Sequence, residues 1–336
     1  MNHFINEILQ SKKSEDKIYA RTLTLVFLTA AVSLALIQLG DLIWNYLRPL
    51  MLSLRDGIDA NPDTNLTVTE AIKIVFNMLL MIVAIMLPTV FLCALRGRTP
   101  KAVTALPKKS IGYGFFFYLV FAVGAGYLAT AFAKFAFSWT DVFNTADKFL
   151  PETNVGIILY YIYVAIFPAV FEEFLFRGVI LGALLPYGKT QAIVISSVIF
   201  GLMHVNPIQA IFATVIGLVL GKLYVDSGSI WWGSLIHFII NSLATTVSYY
   251  VTGNNIALLA IIGFVSIMLM IYALAYGIRL IVLSAKQSHK PDFEHTGCVP
   301  YRKMSEALKA ITTRASWAVV MFIAIYVYAM IYRFFI

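Results

Sequence analysis

Three short stretches place polar side chains four residues apart inside strongly apolar surroundings. They are "FEEFLFRGVI", with Glu172, Glu173 and Arg177; "FGLMH", with Phe200 and His204; and "HFIIN", with His237 and Asn241. Residues at i and i+4 share one helix face. Glu173 and Arg177 stand in the favourable acid-first order for an ion pair, so they are assigned a structural and orienting role. Glu172 projects about 100° away and lacks that partner. A buried carboxyl of this kind suits a general base or acid working near neutrality. His237 and Asn241 can present two N–H donors to one point, as a dry oxyanion site requires. Phe200 is expected to pack against the His204 imidazole. The plainer alternative is that these groups only hold helices together by hydrogen bonds and ion pairs. Ionisable residues inside a membrane are functional candidates by default.

The elements that must position these groups are helices. The chain of 336 residues is 60% hydrophobic and 12% charged, with a mean hydropathy of +0.83. Soluble domains run near 45–50% apolar and about 25% charged, so the composition predicts a polytopic membrane protein. Apolar runs are helix-length and strand alternation is absent, which excludes a barrel and predicts an all-α fold. Spanning windows lie near 22–45, 71–95, 111–134, 155–185, 190–204, 208–225, 229–250, 256–283 and 315–333, for eight or nine transmembrane helices. The two windows separated by "HVNP" read as a tight helical hairpin.

This gives a tail over 1–21, three helices within 22–150, a core of four helices over 151–250, an eighth helix within 251–283, a basic linker over 284–314 with a short surface helix near 301–312, and a ninth helix within 315–336. Most of the 25 Lys and Arg fall in the tail, the 96–110 loop, the short loops near 189 and 222–228, and the 279–314 segment. The positive-inside rule then predicts a cytoplasmic N-terminus in an integral, multi-pass protein. The net charge of +8 is a topology signal, and no basic patch with interleaved aromatics suggests a nucleic-acid partner. The first apolar run is too long for a signal-peptide core, so it reads as an uncleaved anchor. The segment 46–70 reads as an acidic loop on the far side and carries the sequon "NLT" at Asn65. Cys93 and Cys298 both map to the cytoplasmic side, which disfavours a disulfide. Asp41, Lys73 and Lys134 lie near span ends and read as interfacial anchors.

Depth along the helices is consistent with convergence. Glu172 lies ~20 Å and His204 ~21 Å from the cytoplasmic ends of their helices, and His237 lies ~12–16 Å from its own. Pro168 offers a kink just before the glutamates.

In this order and spacing, E-E-x-x-x-R, F-x-x-x-H and H-x-x-x-N resemble the CAAX-protease and bacteriocin-processing family of intramembrane proteases, also called Abi, which includes the Rce1-type prenyl-protein endopeptidases. The likeness covers roughly residues 155–250. It implies that Glu172 and His204 activate water, that His237 and Asn241 form the oxyanion hole, and that Glu173 and Arg177 hold the architecture. The substrate implied is a membrane-associated peptide or protein, lipidated or not, and the expected location is a bacterial or archaeal plasma membrane. No cofactor is expected. The alternative is Zn²⁺ held by Glu172, His204 and His237, an open-site ligand set, although no H-E-x-x-H motif supplies a separate base. A proton-coupled transporter and a non-catalytic immunity or scaffold protein are the other readings of the same buried groups.

Overall fold

The computed structural model describes residues 2–56, 62–95, 114–140, 142–143, 150–252, 256–287 and 304–335. Among them there is no strand. Ten helical elements follow in order: α1 Asn2–Asp56, α2 Pro62–Leu95, α3 Gly114–Ala136, α4 Asn154–Tyr187, α5 Lys189–Leu202, α6 Pro207–Ser227, α7 Ile230–Thr252, α8 Ile256–Gln287, α9 Met304–Thr313 and α10 Ser316–Phe335. Among the described residues, eight are long and apolar enough to cross a membrane, and α5 is a shorter apolar helix. The fifth expected span is thus one arm of the α5–α6 hairpin. The short helix expected near 301–312 is α9.

The expected outer loop over 46–70 differs. Helix continues to Asp56 in α1 and resumes at Pro62 in α2, because backbone leaving the hydrocarbon still satisfies itself best in a helix. The side chain of Asn65, the loop 96–110, Lys148 and Cys298 lie outside the described residues. Cys93 is buried on α2.

The helix ends show their causes. Thr153 caps α4 by accepting from the Gly156 N–H, and buried Glu70 of α2 accepts from the Glu152 N–H at 2.8 Å. Asn206 caps α6, its Oδ1 accepting from the Ile208 and Gln209 N–H groups at 2.9 and 3.1 Å. Pro207 at the first helical position needs no such partner. Between α5 and α6, Gly201 lets the helices meet closely. A Cβ there would collide with the Thr214 hydroxyl and with the Ala210 carbonyl oxygen.

Among the described residues three apolar clusters hold the bundle, the smallest joining Leu92 of α2, Phe174 and Val179 of α4 and Ile230 of α7. Leu23, Val26 and Leu34 of α1 join Leu175, Ile180 and Leu181 of α4, Phe200 of α5 and Phe322 of α10. Ala122 of α3 joins Ile216 and Leu220 of α6 and Ile236 and Ile240 of α7. The helix that carries the glutamates contributes to the α1–α10 cluster and to the smallest one, and packs on α7, α2 and α5.

Candidate active site

The site begins with a defect in α4. Pro168 has no N–H, so the carbonyl of Val164, four residues back, loses its helical partner. The chain responds in two ways. It widens to a π turn over Ile162–Ile166, where the Phe167 N–H bonds Ile162 O. Asn241 of α7 also reaches across, and its Nδ2 donates to Val164 O at 3.0 Å. Pro168 therefore starts a new helical turn, Phe167–Glu173, rather than only bending the old one. A second π stretch follows at Phe174–Leu181, and Ser196 Oγ donates to its Phe176 carbonyl at 2.9 Å. The two glutamates thus stand on a short α-helical turn between two widened ones. Such bulges recur at functional sites because they re-aim side chains.

The two carboxylates part company. Glu173 is fully buried, and its Oε1 lies 2.7 Å from Arg177 Nη1, itself only 1% exposed. The contact is ionic rather than a well-angled hydrogen bond. The same oxygen accepts from His237 Nδ1 at 3.1 Å. Arg177 Nη2 also donates to Gly217 O at 3.5 Å. Glu172 has 17% of its side chain exposed, and its Oε2 lies 3.9 Å from His237 Nε2. That oxygen is itself buried and carries no hydrogen bond.

Hydrogen-bond logic fixes both imidazole tautomers. A carbonyl or carboxylate oxygen can only accept, so each Nδ1 that touches one must carry the proton. His204 Nδ1 bonds Phe200 O at 3.0 Å; His237 Nδ1 bonds Glu173. Both rings, when neutral, therefore turn an Nε2 lone pair away from these anchors. Phe200 ties the groups together. Its ring lies 5.2 Å from that of His204 and 5.8 Å from that of His237, edge-on in both cases. The Arg177 guanidinium carbon sits 4.4 Å over its face. His204 and Tyr163, the latter on the first π turn, both lie within electrostatic range of Glu172.

The expected groups are therefore drawn to one place, with two departures. The single donor hydrogen of neutral His237 goes to Glu173, so Nε2 can donate only when the ring is doubly protonated. One N–H of Asn241 goes to Val164 O, which leaves the other for a substrate. Both departures have the same cause: buried polar groups bond one another before they serve a ligand. For a metal, the residue types and both tautomers suit Zn²⁺, since a ligating histidine usually donates its other N–H to a carboxylate or carbonyl. The spacing does not suit it: no three His, Cys, Asp or Glu side chains among the described residues stand close enough to hold one ion. Sequence reasoning missed Tyr163 and the Val164 carbonyl. The latter had a signal, four residues before a proline.

Residues 154–243 match the family model described as type II CAAX prenyl endopeptidase Rce1-like. No curated protein and no solved structure matched. Glu172, Glu173, Arg177, Phe200, His204, His237 and Asn241 all fall within the matched segment. Over residues 154–243 this membrane chain is therefore similar to the type II CAAX prenyl endopeptidase Rce1-like family.

Proposed function

We propose that this protein is a metal-free intramembrane endopeptidase in which Glu172 and His204 activate water against a peptide bond. The observation that carries the reading is the contrast between the two adjacent acids. Each acid keeps one buried oxygen without a hydrogen bond, but Glu173 is fully buried and its other oxygen is committed to Arg177 and His237, while Glu172 is partly exposed, has no arginine partner, and stands 3.9 Å from His237 Nε2. A free carboxylate oxygen at such a point is where a nucleophilic water is held and deprotonated.

The chain's groups then act in order. Glu172 takes a proton from water, which His204 Nε2 orients by accepting its other hydrogen. The hydroxide adds to the carbonyl carbon. The negative charge that develops on oxygen is met by the second N–H of Asn241 and by Nε2–H of doubly protonated His237. With His237 charged, two carboxylates face one guanidinium and one imidazolium, and the buried group is neutral overall. Glu172 then delivers its proton to the departing amine.

The substrate is a membrane-associated peptide or protein, with a prenylated C-terminal peptide as one candidate class. The tail side of α1 is assigned to the cytoplasm from the charge distribution.

The test uses purified protein in vesicles with a fluorogenic membrane-anchored peptide. Glu172→Gln and His204→Ala should each lower kcat by about 10²–10⁴-fold. Wild-type rates in both variants would overturn the proposal. Zinc held by Glu172, His204 and His237 is the second reading, with the two Nε2 lone pairs for it and the spacing of the three side chains against it. Loss of cleavage on chelation, restored by added Zn²⁺, would establish that reading in place of the first.

A further inference from the structure

Arg333 lies on α10, ninety residues beyond the family segment, and nothing in its neighbourhood in sequence suggests a task. In the fold its Nη1 donates to the carbonyl oxygen of His204 at 3.4 Å. The turn it reaches is held in an uncommon conformation. Val205, the next residue, is buried and has φ +53°, the left-handed region that β-branched side chains avoid. Such a conformation persists only when its surroundings over-determine it.

The surroundings do so from several sides. Asn206 caps α6 and also donates from Nδ2 to Phe143 O at 3.2 Å. The Phe143 ring packs edge-on against Phe334 of α10, with centroids 5.3 Å apart. Tyr332 accepts from Asn45 Nδ2 of α1 at 3.0 Å. Asp41 of α1 faces Arg333 electrostatically, and Tyr163 faces both Asp41 and Glu172. Three consecutive residues of α10 thus touch α1, the segment before α4 and the histidine turn. Asp41, expected to be an interfacial anchor, belongs to this cluster.

We infer that the last turn of α10 is a clamp on the histidine turn and that Arg333 is a positioning residue for His204. The imidazole has its Nδ1 fixed to the Phe200 carbonyl behind it. Arg333 fixes the His204 backbone carbonyl ahead of it. Together they restrain both the ring and the backbone of His204, which lies within electrostatic range of Glu172. The helix outside the family segment is therefore a working part of the site. This rests on the proposed role of His204.

The experiment uses the full chain in vesicles, with Arg333→Met, which keeps the length and removes the donor, and Arg333→Lys, which restores one. Arg333→Met should lower kcat at least tenfold with KM within about twofold, because small misplacement of a reacting group costs rate rather than binding. Its melting temperature should stay at the wild-type value. Arg333→Lys should recover most of kcat. The ¹⁵N signal of the His204 imidazole, in histidine-labelled protein, should move in Arg333→Met and return in Arg333→Lys. Wild-type kcat in Arg333→Met, no recovery in Arg333→Lys, or a rate loss matched by lost stability would each overturn the inference. Should the wild-type protein cleave nothing, the proteolytic reading fails. An unmoved His204 signal in Arg333→Met would then overturn the clamp separately.

Discussion

Helices α3 and α4 are nearly equal in apolar character, with mean hydropathy 1.8 and 1.9 over their best windows, yet they are built on opposite principles. α3 is an uninterrupted helix that buries Ala122, Gly124, Ala125, Gly126, Ala129 and Ala133. Its buried residues are all small, which lets the α6 and α8 backbones approach closely in lipid, while Tyr118 and Phe121 reach Asp226 and Tyr276 at its edges. α4 buries a glutamate and an arginine, breaks its own hydrogen-bond ladder twice, and takes partners for the broken carbonyls from α5 and α7. Hydropathy cannot separate a packing helix from a working one. What separates them is whether buried polar groups find their partners on neighbouring helices.

The comparison breaks hardest at Arg177. Arg177→Leu strips Glu173 of its countercharge in a fully buried place, and should cost about 3–5 kcal/mol. Chemical unfolding in detergent would measure this, and cleavage should vanish with it. In α3, Gly124→Leu would drive a side chain into the Leu269 carbonyl of α8 and cost about 1–3 kcal/mol, while the folded fraction keeps its kcat. A comparable loss of about 1–3 kcal/mol is expected of Asn241→Ala, which takes the cross-helix donor from the part-buried Val164 O. Pro168→Ala returns the missing N–H, so in that background the Asn241→Ala penalty should fall below about 0.5 kcal/mol. A double-mutant cycle measures the difference. Smallest is Phe200→Leu, which keeps volume near the core but gives up the ring contacts with both histidines and Arg177. It should cost about 0.5–1.5 kcal/mol, with a fall in kcat that is larger in proportion than the fall in stability.

The two acids were separable in the sequence because i, i+4 geometry is local. Glu173 had Arg177 and Glu172 had nothing, and the fold keeps that division. The α5–α6 hairpin was equally plain, since "HVNP" combines a cap with a helix-starting proline. The hold of His237 on Glu173 was not readable, because it depends on how α7 crosses α4 some 64 residues away. The π turns were hidden too, although Pro168 pointed at one of them. A local pattern shows that a ladder is broken, but only the tertiary fold shows who mends it. Arg333 looked like an ordinary end-of-span cation for the same reason.

The 14-residue length of α5 carries one more consequence. It rises only ~21 Å, against about 30 Å of hydrocarbon. The other arm, α6, rises ~31 Å over its 21 residues, so the leaflet must dip to meet the shorter arm. On the proposed role of His204, the cleavage rate should therefore track acyl-chain length, quickening in thin bilayers and slowing in thick ones.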